Sequence, residues 1–365
     1  MKLTTTSIAC SLLLFSQYAL SMPMGEETGD LQVQAGYHVI YSYTGATPPN
    51  ELVTYIEQGL VGGVVLFGDN VNDNLTDTVD TWQSAYTKSP GYNGSPILIL
   101  TDQEGGLVSR LPGGPNCSEK EIGASSNPEH EATTAGLQAA STLKNYKLNA
   151  NLAPVLDVFR VPGDFDDQYE RSYSQNATLA GISSAAFITA QQGSGVLATA
   201  KHFPGLGAAS SNANTDEVPV ILNNVSISDM RSIDEVPYHA AIKAGVDMVM
   251  PSWAFYPQFD SQYPSGLSSK LIQSELRGRL GFMGVTISDA IEAGALQSFG
   301  DDPNRAVLAT RAGMDIILAG SKNVTQGLTI VTELANQLTA GSLNQTAFDE
   351  ATDRILSLRK KLVSS

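Results

Sequence analysis

The sequence predicts one (β/α)₈ TIM barrel in a single domain, on three observations. Short apolar runs that end in polar or glycine-containing loops alternate with longer helical runs, the pattern of βαβ units and a parallel sheet. There are eight such pairs, which suit a closed barrel better than an open sheet. No Pro/Ser-rich linker and no second strand-rich region interrupts the series.

In chain order, predicted strands at 37–43, 63–67, 96–101 and 151–158 are followed by helices at 50–58, 74–86, 128–146 and 177–192. Strands at 196–200, 248–251, 285–288 and 316–319 are followed by helices at 228–244, 268–280, 303–312 and 324–339, and a last helix at 346–362 closes the chain. The runs at 285–288 and 316–319 are short and largely β-branched, as buried strands require. Two segments, Ala-Gly-Val-Asp247-Met-Val-Met and Ala-Gly-Met-Asp315-Ile-Ile-Leu, repeat one design. In each, a glycine suits the end of a helix and an aspartate precedes the strand. Those aspartates belong at the N-terminal face and are structural. Asp289, in Gly284-Val-Thr-Ile-Ser-Asp-Ala290, belongs instead at a strand's C-terminal end, where barrel enzymes keep reactive groups.

The 365-residue chain has 42% hydrophobic residues, enough for a large core, and a formal net charge of -16 with 37 acidic against 21 basic residues. That balance repels phosphates and excludes nucleic acid and anionic membranes as partners. Lys2, the apolar stretch 8–15 and the small residues Ala19 and Ser21 have the layout of a secretory signal over 1–21, leaving 22–365 as the mature, extracellular chain. No later run is long enough to span a bilayer. Cys10 lies within that signal, so Cys117 would remain as a lone thiol. Asn-X-Ser/Thr sequons at Asn74, Asn93, Asn116, Asn176, Asn224, Asn323 and Asn344 suit a glycosylated secreted chain.

In a barrel the loops after the strands share one mouth. After the third strand comes Asp102-Gln-Glu-Gly-Gly106 with Arg110 behind it; after the fourth come Asp157 and a long acidic loop to Arg171. The fifth strand runs into Lys201-His-Phe-Pro-Gly-Leu-Gly207 and a polar loop containing Thr215, Asp216 and Glu217; the sixth ends at Trp253, whose indole can pack or face a sugar. No His-x-His or His-Glu-x-x-His spacing marks a metal site, and no cofactor motif is present.

In order, Asp102-Gln-Glu-Gly-Gly106, Leu152-Ala-Pro-Val-Leu-Asp157, Lys201-His-Phe-Pro-Gly205, Ala244-Gly-Val-Asp-Met-Val-Met250 and Leu276-Arg-Gly-Arg-Leu-Gly-Phe-Met-Gly-Val-Thr-Ile-Ser-Asp289 resemble the glycoside hydrolases of family 3, in particular the single-domain β-N-acetylhexosaminidases. The resemblance implies a retaining exo-glycosidase acting on a small carbohydrate or glycoconjugate, with β-glucosidase activity as the nearest alternative. It implies Asp289 as nucleophile and Asp102, Arg110, Arg171, Lys201 and His202 as sugar ligands. Cations such as Lys201 would keep Asp289 ionised.

Two positions depart from the family. Bacterial hexosaminidases carry Asp-Ser-His in the loop after the fifth strand and use that histidine as acid/base, whereas this chain has Thr215-Asp216-Glu217-Val218 and its histidines are elsewhere, at 38, 130, 202 and 239. The proton donor therefore falls to Asp216 first and Glu217 second, and either needs a raised pKa. Leu107 stands where the family often has arginine. Two other classes compete: a carbohydrate-binding protein that has lost catalysis with its histidine, and a Schiff-base lyase using Lys201.

Overall fold

The structure, a computed structural model, describes residues 24–364, so the expected signal over 1–21 lies outside the described residues. Eight parallel strands form a nearly closed barrel: β1 (Val39–Tyr41), β2 (Gly63–Val65), β3 (Leu98–Thr101), β6 (Ala150–Asn151), β7 (Thr199–Phe203), β8 (Met248–Pro251), β9 (Val285–Ala290) and β10 (Ile316–Leu318). A small antiparallel hairpin, β4 (Gln103–Gly105) with β5 (Val108–Ser109), follows β3. The barrel sheet runs β6-β3-β2-β1-β10-β9-β8-β7. Between β6 and β7 the ring is joined by parallel bridges at Ala150–Leu197 and Val155–Lys201. Helices follow the strands, and an added helix, Met24–Gly36, precedes β1 and packs against Val324–Thr339.

Alternation along each strand explains why the barrel closes. Ile40, Leu98 and Leu100 point into the barrel with Val65, Met248, Ile287 and Ile316. Their neighbours Val39, Tyr41, Ile97 and Ile99 point outward beneath the helices. Successive side chains of a strand face opposite sides, so a strand apolar on both faces needs cover on both. Each such aliphatic side chain, once buried, contributes roughly 1.5–3 kcal/mol. At Gly63 a Cβ would sit 2.3 Å from the Leu98 carbonyl oxygen, so only glycine lets β2 and β3 approach this closely.

The N-terminal rim carries both aspartates of the repeated segment. Asp315 is 1% exposed. It accepts from the Thr286 amide at 2.9 Å, from Arg277 Nη2 at 2.7 Å and from Arg354 Nη2 at 2.8 Å. Asp247 accepts from Lys361 Nζ at 2.6 Å. Asp315 thus pins β9, β10 and the last helix together. Its replacement by alanine strands two guanidinium groups and is expected to cost about 3–5 kcal/mol of unfolding free energy in urea, while leaving KM of the folded fraction unchanged. A loss below 1 kcal/mol would contradict that role.

Most strands are shorter than expected or shifted by a few residues, and two of the differences bear on the site. Predicted to stop at 200, β7 runs through Phe203, because Lys201 pairs with Met250 and Phe203 with Pro251 of β8. Lys201 and His202 are strand residues, and the peptide between them is cis. The fourth predicted strand, 151–158, is regular only at Ala150–Asn151; Pro154 follows a cis bond and offers no amide to a ladder.

Candidate active site

A cavity of about 500 Å³ opens at the C-terminal ends of the strands. Its lining includes Asp102, Arg110, Arg171, Lys201, His202, Asp216 and Asp289, which β3, β5, β7, β9 and the loops after β6 and β7 bring together from across the chain. Glu217 is not among the lining residues: it is exposed and its carboxylate accepts from Asn214 Nδ2 at 3.2 Å. His130 and His239 are exposed on helices away from the cavity.

The cations at the cavity's polar end are held from behind by Glu104. Glu104, 1% exposed, accepts a two-pronged contact from Arg171, Nε to Oε2 and Nη2 to Oε1, both 2.9 Å. The same carboxylate lies 2.8 Å from Lys201 Nζ, which also donates to Asp102 Oδ1 at 2.8 Å. Arg110 Nε is 3.8 Å from Asp102 Oδ2. Burial opposes the charge on Glu104, but the guanidinium and ammonium beside it prevail and hold its carboxyl down at about 2. These contacts fix Lys201 and Arg171 before any ligand arrives.

His202 is fixed in a similar way by Asp157. Its Nδ1 is 2.8 Å from Asp157 Oδ2, and Asp157 also accepts from the Leu206 amide at 2.6 Å. Burial, with Arg171 nearby, lowers the imidazole to about 4, so it is neutral at working pH. With Nδ1–H donated to Asp157, Nε2 is left as an acceptor for a ligand hydroxyl. Asp157, Asp166 and His202 bring ligand atoms within 4.8 Å of one another. His202 Nδ1 is engaged by Asp157, and Asp166 Oδ1 accepts from Arg171 Nη1 at 3.1 Å, so Asp157 orients the imidazole and Asp166 pairs with the guanidinium.

Asp289 ends β9 on the cavity floor. Its Oδ1 accepts from the Ala290 amide at 2.7 Å, and the Ala290 carbonyl accepts from the indole of the fully buried Trp253 at 2.9 Å. Trp253 therefore packs behind the strand end. Burial, reinforced by the Asp216 charge, raises the Asp289 carboxyl above its ordinary value, and His202 and Lys201 only partly oppose this. The expectation that Lys201 keeps Asp289 ionised is thus met in sign but not in size, because the Lys201 charge is already taken by Asp102 and Glu104.

Asp216 faces the same cavity from the loop after β7. Its carbonyl accepts from the Gly294 amide at 2.7 Å, and that of Thr215 from Ala295 at 3.0 Å. At Gly294 a Cβ would lie 2.0 Å from the Glu217 carbonyl oxygen, so the two segments meet only because residue 294 is glycine. Burial raises the Asp216 carboxyl; Arg171 opposes, and Glu292, Asp102 and Glu217 add to the rise. Two carboxyls facing one cavity, both raised above the ordinary aspartate value, supply the pair of groups that acid-assisted displacement needs.

The glycosyl hydrolase family 3 N-terminal domain matches residues 24–358. This chain belongs to that family. An uncharacterized secreted glycosyl hydrolase of Arthroderma benhamiae is 51% identical over 91% of this chain and 94% of its own. A β-hexosaminidase of Tolumonas auensis is 33% identical over 71% of this chain and 75% of its own. The solved family 3 β-N-acetylglucosaminidase from a Paenibacillus species superposes with a TM-score of 0.84 at 27% identity, over 91% of this chain and 62% of that one, so this chain spans less than two thirds of that enzyme. The chain is a family 3 glycoside hydrolase. Among the described residues no helix is long and apolar enough to cross a membrane.

Sequence reasoning passed over Glu104, Asp157, Asp166 and Glu292 as site residues. Glu104 sits inside the quoted 102–106 motif and Asp157 ends the 152–157 motif, so the signal was present but unused. These buried acids have a measurable consequence. Burial holds Asp157 at about 6, and Asp166 and Asp234 at about 7, so the folded chain keeps protons that the unfolded chain has released. Stability is then lost as pH rises from the ordinary carboxylate range through about 7. His38 and His202, lowered to about 4, act in the opposite direction between about 6.5 and 4, but are fewer. Tm is expected to rise from pH 8 to pH 5.5 in a calorimetric scan; a fall over that interval would contradict the assignment.

Proposed function

We propose that the protein is a secreted, retaining exo-glycosidase that releases terminal β-linked N-acetylglucosamine. The observation that carries this reading is the meeting of Asp289 and Asp216 in one cavity with Asp102, Lys201 and His202. In the first step a carboxylate oxygen of Asp289 attacks the anomeric carbon. The bond from that carbon to the leaving oxygen breaks, and the leaving oxygen takes the proton of Asp216. In the second step Asp216 accepts a proton from water, whose oxygen displaces Asp289. Asp102, Lys201, His202, Arg110 and Arg171 bind the sugar, and a site built from such groups discriminates against sugars lacking matching hydroxyls.

The names of the Tolumonas and Paenibacillus relatives support the N-acetylglucosaminide; the Arthroderma relative and the signal-like first residues support secretion. Leu107, 67% exposed in place of a family arginine, alters the hairpin next to the subsite, and the second reading within the same chemistry is β-glucosidase. A panel of 4-nitrophenyl glycosides decides between them. The highest kcat/KM is expected on the N-acetyl-β-D-glucosaminide. A preference for the β-D-glucoside selects the second reading, and binding without turnover of any β-glycoside selects a non-catalytic protein.

A further inference from the structure

Glu292 lines the same cavity three residues beyond Asp289, on the loop after β9. Its Oε2 accepts from the Gly320 amide at 3.1 Å and from Gln326 Nε2 at 3.0 Å. Gln326 is itself fixed: its Nε2 also donates to Asp302 Oδ2 at 2.8 Å, and its Oε1 accepts from the Ser321 amide at 3.0 Å. Asp302 in turn accepts from Arg305 Nη1 at 3.0 Å. Three elements, β9, the β10 loop and the helix Val324–Thr339, thus hold one carboxylate in place. Room for it depends on residue 320, where a Cβ would lie 2.7 Å from Glu292 Oε1.

All the inter-residue donors converge on Oε2. Among the described residues no donor from another residue reaches Oε1. With no neighbour's donor on it, Oε1 keeps acceptor capacity that a ligand can use. A rigid acceptor with one oxygen anchored and the other open, beside the nucleophile, is the arrangement that binds a hydroxyl or amide N–H. We infer that Glu292 is a further substrate-binding residue, whose Oε1 accepts a hydrogen bond from a hydroxyl or amide donor of the bound glycoside. The inference rests on the glycosidase reading but makes a separate claim. It assigns one polar group of the substrate to a residue that neither the sequence motifs nor the ion-pair cluster around Glu104 includes. It also predicts weak binding of ligands that are anionic at that position, since Glu292 and Asp216 would both face them.

The test uses Glu292→Gln and Glu292→Ala in the full chain, with 4-nitrophenyl N-acetyl-β-D-glucosaminide, the β-D-glucoside and their monodeoxy analogues. Against the best substrate, Glu292→Ala is expected to lose 10- to 100-fold in kcat/KM. Against the one analogue that lacks the donor, wild type and variant should differ less than twofold. Glu292→Gln, which keeps the shape and an acceptor oxygen, should recover part of the loss. An equal loss on every analogue would mean a purely structural role, and no loss on any would remove Glu292 from the site; either result overturns the inference. Calorimetric binding of free N-acetylglucosamine and glucose, measured alongside, separates the two claims. If wild type binds the sugar but turns over no glycoside, the glycosidase reading fails, and Glu292 is judged on whether its variants weaken binding. If wild type neither binds nor turns over, both fail.

Discussion

Replacing Asp289 by asparagine is expected to lower kcat/KM on an aryl β-glycoside by roughly 10⁴-fold. The amide preserves size and can still accept from the Ala290 amide, so the strand end and its Trp253 support should survive, with Tm within a few degrees of wild type. The loss should therefore be chemical rather than structural. A 2-fluoro-glycosyl fluoride extends the experiment. Wild-type protein should gain one sugar mass on the peptide containing Asp289, and the variant should gain none. A variant with wild-type turnover, or a label on another residue, would remove Asp289 as nucleophile and with it the proposed two-step route.

The second large effect belongs to Asp216. Its replacement by asparagine should cost about 10²- to 10⁴-fold in kcat/KM, least for leaving groups that depart without a proton. The pH profile is more diagnostic than the size of the loss. In wild type the first step requires Asp216 protonated, so activity should fall on the alkaline side as that carboxyl ionises. Burial and the facing Glu292, Asp102 and Glu217 charges place this ionisation above the ordinary aspartate range, with Arg171 pulling the other way. Asparagine cannot ionise, so the alkaline limb should vanish. Glu217→Gln should keep both limbs, with the alkaline one moved slightly to lower pH because the Glu217 charge adds to the Asp216 rise, since Glu217 is outside the cavity lining. The reverse pattern, with the limb lost in Glu217→Gln and kept in Asp216→Asn, would transfer the acid/base role to Glu217.

Much of this was legible in the amino-acid order. The apolar runs at 63–67, 248–251, 285–288 and 316–319 became β2, β8, β9 and β10, because a short, nearly continuous apolar run suits a strand buried on both faces. Of the residues proposed as nucleophile and sugar ligands, Asp102, Lys201, His202 and Asp289 were legible because each lies at the end of a strand or opens the loop after one, whereas Arg171 stands far along the loop after β6. The fourth strand was not readable in detail: Leu152-Ala-Pro-Val-Leu has strand composition, yet Pro154 cannot donate to a ladder. The buried acids escaped for another reason. The chain order shows that Glu104 and Arg171 are charged, but not that a residue 67 positions away will close a two-pronged contact. Charge compensation over such separations is a property of the folded ring.

The backbone contacts of Thr215 and Asp216 with residues 294 and 295 carry a wider implication. Main chain, not side chain, ties the segment bearing the proposed proton donor to the segment that follows the proposed nucleophile. The two reacting groups therefore keep their spacing whatever side chain occupies the donor position. A designer seeking a different working acidity could vary the side chains at 215–217 while leaving that two-rung clasp untouched.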